Sequence, residues 1–166
     1  MKGIAIYPGT FDPVTYGHLD ILQRSLEIFD HVIVAVAHNI RKSPLFTVEE
    51  RMNMLKEVTR DFPGVEVDHF NGLVISYARS KGAEVLVRGL RAVSDFEYEL
   101  QMALTNRKLA ENIKTVFMMP SAEYSFLSSS IVKEISRLGR NVSCFVPEIV
   151  EQQLQKKLWN SASEII

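Results

Sequence analysis

Along the chain, short apolar runs alternate with segments whose apolar residues recur near the 3.6-residue period of a helix. Five runs, Gly3 to Tyr7, His31 to Ala37, Val65 to Phe70, Val85 to Arg88 and Thr115 to Met119, are rich in Val and Ile and short enough to predict buried strands. Such near-continuous apolar strands predict a parallel sheet covered on both faces. Between them, Leu19, Leu22, Leu26 and Phe29 mark one helical face, and Thr47 placed three residues before Glu50 is a capping-box pattern ahead of Met52, Leu55, Val58 and Phe62. A shorter helix is predicted over Val74 to Lys81. Ser94 with Glu97 repeats the capping pattern before Phe96, Leu100, Ala103 and Leu104, which predicts a helix ending near Ala110. Ile131 to Leu138 is patterned likewise. Late in the chain Pro147 suits a first helical position, with Glu148 at the positive end and Lys156 and Lys157 at the negative end around Val150, Leu154 and Leu158. Alternation of this kind predicts right-handed βαβ units in a doubly wound, five-stranded parallel α/β sheet.

Length and composition narrow the picture. The 166 residues fit one domain, taken as 1–158 with a loosely held tail at 159–166, and 46% hydrophobic with 23% charged residues is the mixture of a folded chain. Nineteen Lys and Arg against twenty Asp and Glu leave a formal charge of −1, so no global basic field exists to hold a nucleic acid, and any phosphate site must be local. Cys144 stands alone and the four histidines have no metal-ligand spacing with it, which excludes disulfide and zinc frameworks and leads us to expect a reducing, cytoplasmic setting. The start of the chain has no basic segment leading into a long apolar stretch, and no uncharged run approaches membrane-spanning length. The expectation is a protein neither exported nor embedded in a membrane.

In doubly wound sheets, ligands sit beyond the carboxyl ends of the strands where strand order reverses. After the first strand comes Tyr7-Pro8-Gly9-Thr10-Phe11-Asp12-Pro13-Val14-Thr15-Tyr16-Gly17-His18, a turn that leads into a helix. Gly9 and Gly17 permit close approach of a ligand, and the helix start favours an anion. The loop has neither GxxxxGK[ST] nor GxGxxG, which removes the usual support for a simple NTPase or a dinucleotide oxidoreductase. A lone His18 would be an incidental polar residue, but Thr10 on the opposite lip and the fourth strand change that reading. Arg88-Gly89-Leu90-Arg91 projects two guanidinium groups from the end of an apolar strand, suited to bidentate phosphate binding, with ion pairs to Asp95 or Glu97 as the competing explanation. Lys42 adds a third cation after the second strand. Tyr124-Ser125-Phe126-Leu127-Ser128-Ser129-Ser130 presents three serines at a helix start, a second phosphate cradle, with Phe11 and Phe126 as core or pocket wall. No Ser-His-Asp order, glycosidase-type carboxylate pair or reactive-cysteine setting accompanies them. The chemistry expected is phosphoryl or nucleotidyl transfer by positioning and charge stabilisation.

Thr15-Tyr16-Gly17-His18 is a TxGH signature, and with the serine segment it resembles the nucleotidyltransferase superfamily related to class I aminoacyl-tRNA synthetases. The match is closest to the bacterial phosphopantetheine adenylyltransferases, through Tyr7 to Pro13, Lys42-Ser43-Pro44-Leu45-Phe46-Thr47, Arg88 to Ala92 with Asp95 to Glu99, and Ser128 to Glu134. The resemblance runs from about Ile4 to Leu158. It implies a Rossmann-like nucleotidyltransferase fold and transfer of AMP from ATP to 4′-phosphopantetheine, giving dephospho-coenzyme A and pyrophosphate. It gives catalytic roles to His18, Thr10, Lys42 and Arg91, with His18 stabilising charge on the α-phosphate. Lys42 and Arg88, with Thr10 and Val74, would hold phosphopantetheine. Thr10, Phe11, His18, Gly89, Leu90, Arg91, Glu99 and Tyr124 to Ser130 (Tyr124, Ser125, Phe126, Leu127, Ser128, Ser129, Ser130) would bind ATP. It further implies magnesium, a homohexamer and feedback inhibition by coenzyme A. Two departures stand out: Tyr16 occupies a position where Asn is common, and Ile40 one where Pro is common. No carboxylate is assigned to the metal, so magnesium is expected on the nucleotide's phosphates.

Overall fold

The computed structural model describes residues 3–38, 43–91 and 93–159. Its elements in chain order are β1 (Ile4–Gly9), α1 (Tyr16–Ile28), β2 (His31–Ala37), α2 (Val48–Val58), β3 (Val65–Phe70), α3 (Val74–Ser80), β4 (Val85–Gly89), α4 (Val93–Leu109), β5 (Lys114–Met118), α5 (Ser129–Arg137) and α6 (Glu148–Leu158). A single 3₁₀ turn, Ala122–Tyr124, precedes α5. The five strands form one parallel sheet in the order β3-β2-β1-β4-β5. Strand order therefore reverses between β1 and β4, and the loops after those two strands face each other at the carboxyl edge. β1 and β2 are buried over most of their length and β4 at Leu86 and Val87, whereas the edge strands β3 and β5 are mostly half-buried.

Two apolar clusters sandwich the sheet. The larger, with Val34, Leu22, Leu55, Val87 and Leu154, packs beneath α1, α2, α5 and α6, and the smaller, with Ile33, Leu86, Ile75 and Ile113, lies under α3. Side-chain alternation along each strand sends successive residues to opposite clusters. Thr47 does cap α2, its hydroxyl accepting from Glu50 N–H at 3.1 Å while Glu50 accepts from Thr47 N–H at 2.8 Å.

Two local expectations need correction. α4 begins at Val93, so Ser94 lies inside it rather than at its N-cap. The apolar residues of α4 are largely in solvent, with Phe96 44%, Leu100 37% and Leu104 48% exposed. Periodicity finds a helix but cannot say what covers its apolar side. Pro147 is the N-cap of α6, one position earlier than expected, with extended backbone at ψ 154°.

Trp159 closes α6 and its indole N–H donates to the Ser136 carbonyl at 2.9 Å. Among the described residues, the Ser136 hydroxyl is a buried side-chain oxygen with no hydrogen-bond partner. An unsatisfied buried hydroxyl costs about 1–3 kcal/mol, so Ser136→Ala is expected to raise stability by about 1 kcal/mol. Urea unfolding measures this, and a loss of stability in the variant would contradict it.

Candidate active site

A cavity of about 540 Å³ opens at the carboxyl edge between the loops after β1 and β4. Its β1 side is a strained turn. Phe11 has φ 48°, in the left-handed region that bulky residues avoid, and this folds its ring back over Gly9, where a Cβ would meet the ring at 2.8 Å. Gly9 is thus required by Phe11 as much as by any ligand. Phe11 is buried, with ring centroids 5.4 Å from Tyr7 and 5.1 Å from His18, so it serves as the wall that carries the histidine. The Asp12–Pro13 peptide is cis.

His18 is the third residue of α1, and its position is fixed by a variant of the capping box. Its Nδ1 accepts from the Thr15 N–H at 3.0 Å and lies 2.9 Å from the Thr15 hydroxyl. With Nδ1 accepting, the neutral ring carries its proton on Nε2. Burial, then the charges of Arg91 and Arg88, push its pKa down from 6.5 to about 4. The first helical turn offers a further donor: Tyr16 N–H is taken by Phe145 C=O at 3.0 Å, while among the described residues Gly17 N–H has no partner.

The depressed pKa has a definite linkage sign. The unfolded chain protonates this ring near pH 6.5 and the native state only near 4, so the stabilisation is complete above pH 6.5 and is lost as pH falls through that window. His18→Gln removes the titration. The variant should therefore lose less stability than wild type between pH 7 and pH 4.5 in urea unfolding, and an equal loss would contradict the burial of a neutral ring.

On the β4 side both arginines line the cavity, and both already have carboxylate partners. Arg88 grips Glu99 with Nε, at 2.7 Å, and with Nη2, and donates from Nη1 to the Pro8 carbonyl at 2.8 Å. Arg91 pairs with Asp95 at 2.9 and 3.3 Å and donates to the Leu127 carbonyl at 3.1 Å. Of the two competing partners named from sequence, Asp95 is used, but Glu99 takes the place given to Glu97. Glu99 is buried and its carboxylate holds Arg88, whereas the resemblance gives Glu99 to the nucleotide. A guanidinium has five N–H donors, so Arg88 retains two after these three bonds.

The third wall is the start of α5. Ser128 is the N-cap, its hydroxyl accepting from Ile131 N–H at 3.2 Å, and Ser129 Oγ donates to the Pro13 carbonyl at 2.7 Å, tying the serine turn to the β1 loop. Ser128, Ser129 and Ser130 all line the cavity with Tyr124 and Leu127. Asp20 in α1 supports this wall by accepting from the Ser121 N–H at 2.9 Å and the Ser121 hydroxyl at 2.7 Å.

The cavity thus gathers Thr10, Phe11, His18, Arg88, Gly89, Arg91, Glu99, Tyr124, Leu127 and the three serines. It does not gather every residue named from sequence. Val74 starts α3 and packs on the smaller apolar cluster. Phe126 is 59% exposed in a T-shaped contact with Phe145, Ser125 Oγ donates to Ala122 C=O, and Leu90 N–H is spent on Met118 C=O. Lys42 lies outside the described residues, although Ser43 and Pro44 beside it form part of the rim.

Sequence reasoning missed a second layer. Asp12 is buried, accepts from Leu45 N–H at 3.0 Å and Phe46 N–H at 2.9 Å, and pairs with Lys133 of α5, a cation that also lines the cavity. A carboxylate between Phe11 and Pro13 was the available signal, since acids in apolar turns are kept for a partner. No group of three or more His, Cys, Asp or Glu among the described residues could hold a metal ion. No helix among them is long and apolar enough to cross a membrane.

The cytidylyltransferase-like family model matches residues 6–135, and the chain belongs to that family of nucleotidyltransferases. Its nearer relatives are more particular. A phosphopantetheine adenylyltransferase of Caldanaerobacter subterraneus subsp. tengcongensis is 54% identical over 158 residues, covering 95% of this chain and 99% of its own. One from Desulforudis audaxviator is 56% identical over 154 residues, 93% of this chain and 94% of its own. Among solved structures, a bifunctional NMN adenylyltransferase/ADP ribose pyrophosphatase from Francisella tularensis superposes with a TM-score of 0.72 at 13% identity, over 94% of this chain and 49% of that one, a likeness of fold alone.

Proposed function

We propose that this chain transfers AMP from ATP to 4′-phosphopantetheine, releasing dephospho-coenzyme A and pyrophosphate. The relatives at 54–56% identity over nearly full length support the acceptor. The observation that carries the mechanism is the shared cleft, in which a neutral imidazole, two guanidinium groups and two helix starts line one cavity in a chain of net charge −1.

The step balances without a covalent enzyme intermediate. An oxygen of the acceptor phosphate attacks the α-phosphorus in line, the α–β bridging bond breaks, and its electron pair leaves with pyrophosphate. His18 donates from Nε2–H to an α-phosphate oxygen, where charge builds up. Its proton stays on the ring in this role, because Nδ1 is committed to Thr15. The donor half is read as Arg91, Gly89 and the α5 start, whose Ser129 and Ser130 N–H groups have no partner among the described residues. The acceptor half is read as Thr10 and the remaining N–H donors of Arg88, with Lys42. Magnesium enters as part of the nucleotide substrate, carried on its phosphates.

The exposed apolar residues of α4, Phe96, Leu100 and Leu104 among them, support self-association, which the resemblance sets at six copies. Feedback by coenzyme A fits an acceptor half that accommodates phosphopantetheine. The free, exposed Cys144 suits a reducing cytoplasm.

The test is direct. Purified protein with ATP, magnesium and 4′-phosphopantetheine should yield dephospho-coenzyme A and pyrophosphate in equal amounts. Release of pyrophosphate only with nicotinamide mononucleotide, or with no acceptor at all, would overturn the reading.

A further inference from the structure

Arg51 lies on the core face of α2 beside Met54 and Leu55, and only 1% of it is exposed. Buried charges are ordinarily paired. The guanidinium instead spends its hydrogen bonds on main-chain carbonyls: Nε donates to Phe46 at 3.1 Å and Thr47 at 3.2 Å, and Nη1 to Thr10 at 2.7 Å and Ala37 at 3.3 Å. These carbonyls belong to three segments that end at the carboxyl edge: the loop after β1, the last residue of β2 and the turn into α2.

Asp12 supplies the complementary half. Its two oxygens take the N–H groups of Leu45 and Phe46, so Phe46 is gripped at its N–H by a carboxylate and at its C=O by a guanidinium. The β1 loop and the turn into α2 are thereby locked to each other from beneath the cavity. A residue needed only to fill the core here would be apolar, since a buried guanidinium carries a desolvation cost that Leu or Met does not.

We propose that Arg51 is a positioning residue, holding the loop that bears Thr10 at a fixed separation from the turn that bears Ser43 and Pro44, so that the acceptor side of the cleft is formed before any ligand arrives. This rests on the adenylyl-transfer reading. Arg51 holds the Thr10 carbonyl and leaves the side chain available to the cavity that Thr10 lines. It makes no hydrogen bond to Arg91 or to Ser128, Ser129 and Ser130, and the serine turn meets the β1 loop at the Pro13 carbonyl rather than at the Thr10 carbonyl that Arg51 holds, so the donor side depends on it only indirectly.

Arg51→Lys keeps the charge but lacks the fork that reaches several carbonyls at once. A misplacement of about 1 Å at a reacting group costs on the order of a hundredfold in rate. The variant should therefore lose about that factor in kcat/KM for 4′-phosphopantetheine, while the ATP dissociation constant measured by calorimetry without acceptor stays within about threefold of wild type. Hydrogen exchange of the Leu45 and Phe46 amides should quicken by about tenfold or more, with the amides of β1 and β2 unchanged. Unchanged acceptor kinetics would overturn the proposal, and so would parallel losses in ATP affinity and strand protection, which would make Arg51 a general stabiliser.

Wild type alone supplies a second test if the variant does not fold. The Leu45 and Phe46 amides, though outside regular structure, should exchange as slowly as strand amides, and loop-like exchange would overturn the clamp. A wild-type protein that transfers AMP to no acceptor would sink the functional reading, and the exchange measurement would still decide the clamp.

Discussion

Replacing Arg88 by Met is expected to damage the protein twice, once in folding and once in catalysis, and the two losses can be separated. The guanidinium and Glu99 form a two-point ion pair with side-chain exposures of 31% and 10%. Removing the cation leaves a buried carboxylate without its partner, which costs about 3 kcal/mol, and in a chain of this size about 3 kcal/mol lowers Tm by about 10 °C. Pairing Arg88→Met with Glu99→Leu removes the stranded charge, so the double variant should regain most of the lost stability in urea unfolding. Activity should not follow. If the two N–H donors left on Arg88 hold the acceptor phosphate, kcat/KM for 4′-phosphopantetheine stays down by about a hundredfold in single and double variants alike. Recovery of activity together with stability would mean that Arg88 serves only to neutralise Glu99, and the acceptor half of the site would have to be redrawn.

Arg88 also marks how far the sequence could be read. The sheet was legible because buried parallel strands must be apolar for several residues and short, and the five runs satisfy both conditions. The placement of the site was legible because one loop geometry serves many chemistries in doubly wound folds, and two cations at the end of an apolar strand need an explanation. What stayed hidden were contacts between segments that are distant in the chain. Glu99 reaches Arg88 from the second turn of α4, Asp12 takes two amides more than thirty residues away, and Arg51 joins three segments through carbonyls that carry no side-chain signature. Arg51 did leave a trace, a charge on the same helical face as Met54 and Leu55, but the sequence pattern cannot tell a buried cation from a register error in the apolar stripe. α4 is the opposite case: its helix was legible, yet Phe96, Leu100 and Leu104 face solvent in a single chain, and nothing in their spacing says what covers them.

His18 has two duties that different substitutions uncouple. Its Nδ1 closes the N-terminus of α1 by accepting from Thr15 N–H, and its Nε2–H is the group proposed to meet the α-phosphate. Gln at this third helical position can still reach back to the N-cap amide, as in an ordinary capping box, whereas Ala cannot. His18→Ala should therefore lose about 1 kcal/mol of stability, the usual value of a cap, and His18→Gln almost none. Both should lose turnover by at least about a hundredfold, the loss typical of one preorganised donor at a developing charge. Ligand binding should also move the proton balance. In the free protein burial and the two arginines hold the ring neutral down to about pH 4, whereas a triphosphate brings negative charge to Nε2 and raises that pKa. ATP binding should then take up a proton as pH falls from 6.5 toward 4, tightening wild-type affinity relative to His18→Gln over that range. Equal pH dependence of ATP affinity in the two proteins, or near-normal turnover in His18→Gln, would remove the imidazole from the reacting phosphate and leave it a helix cap.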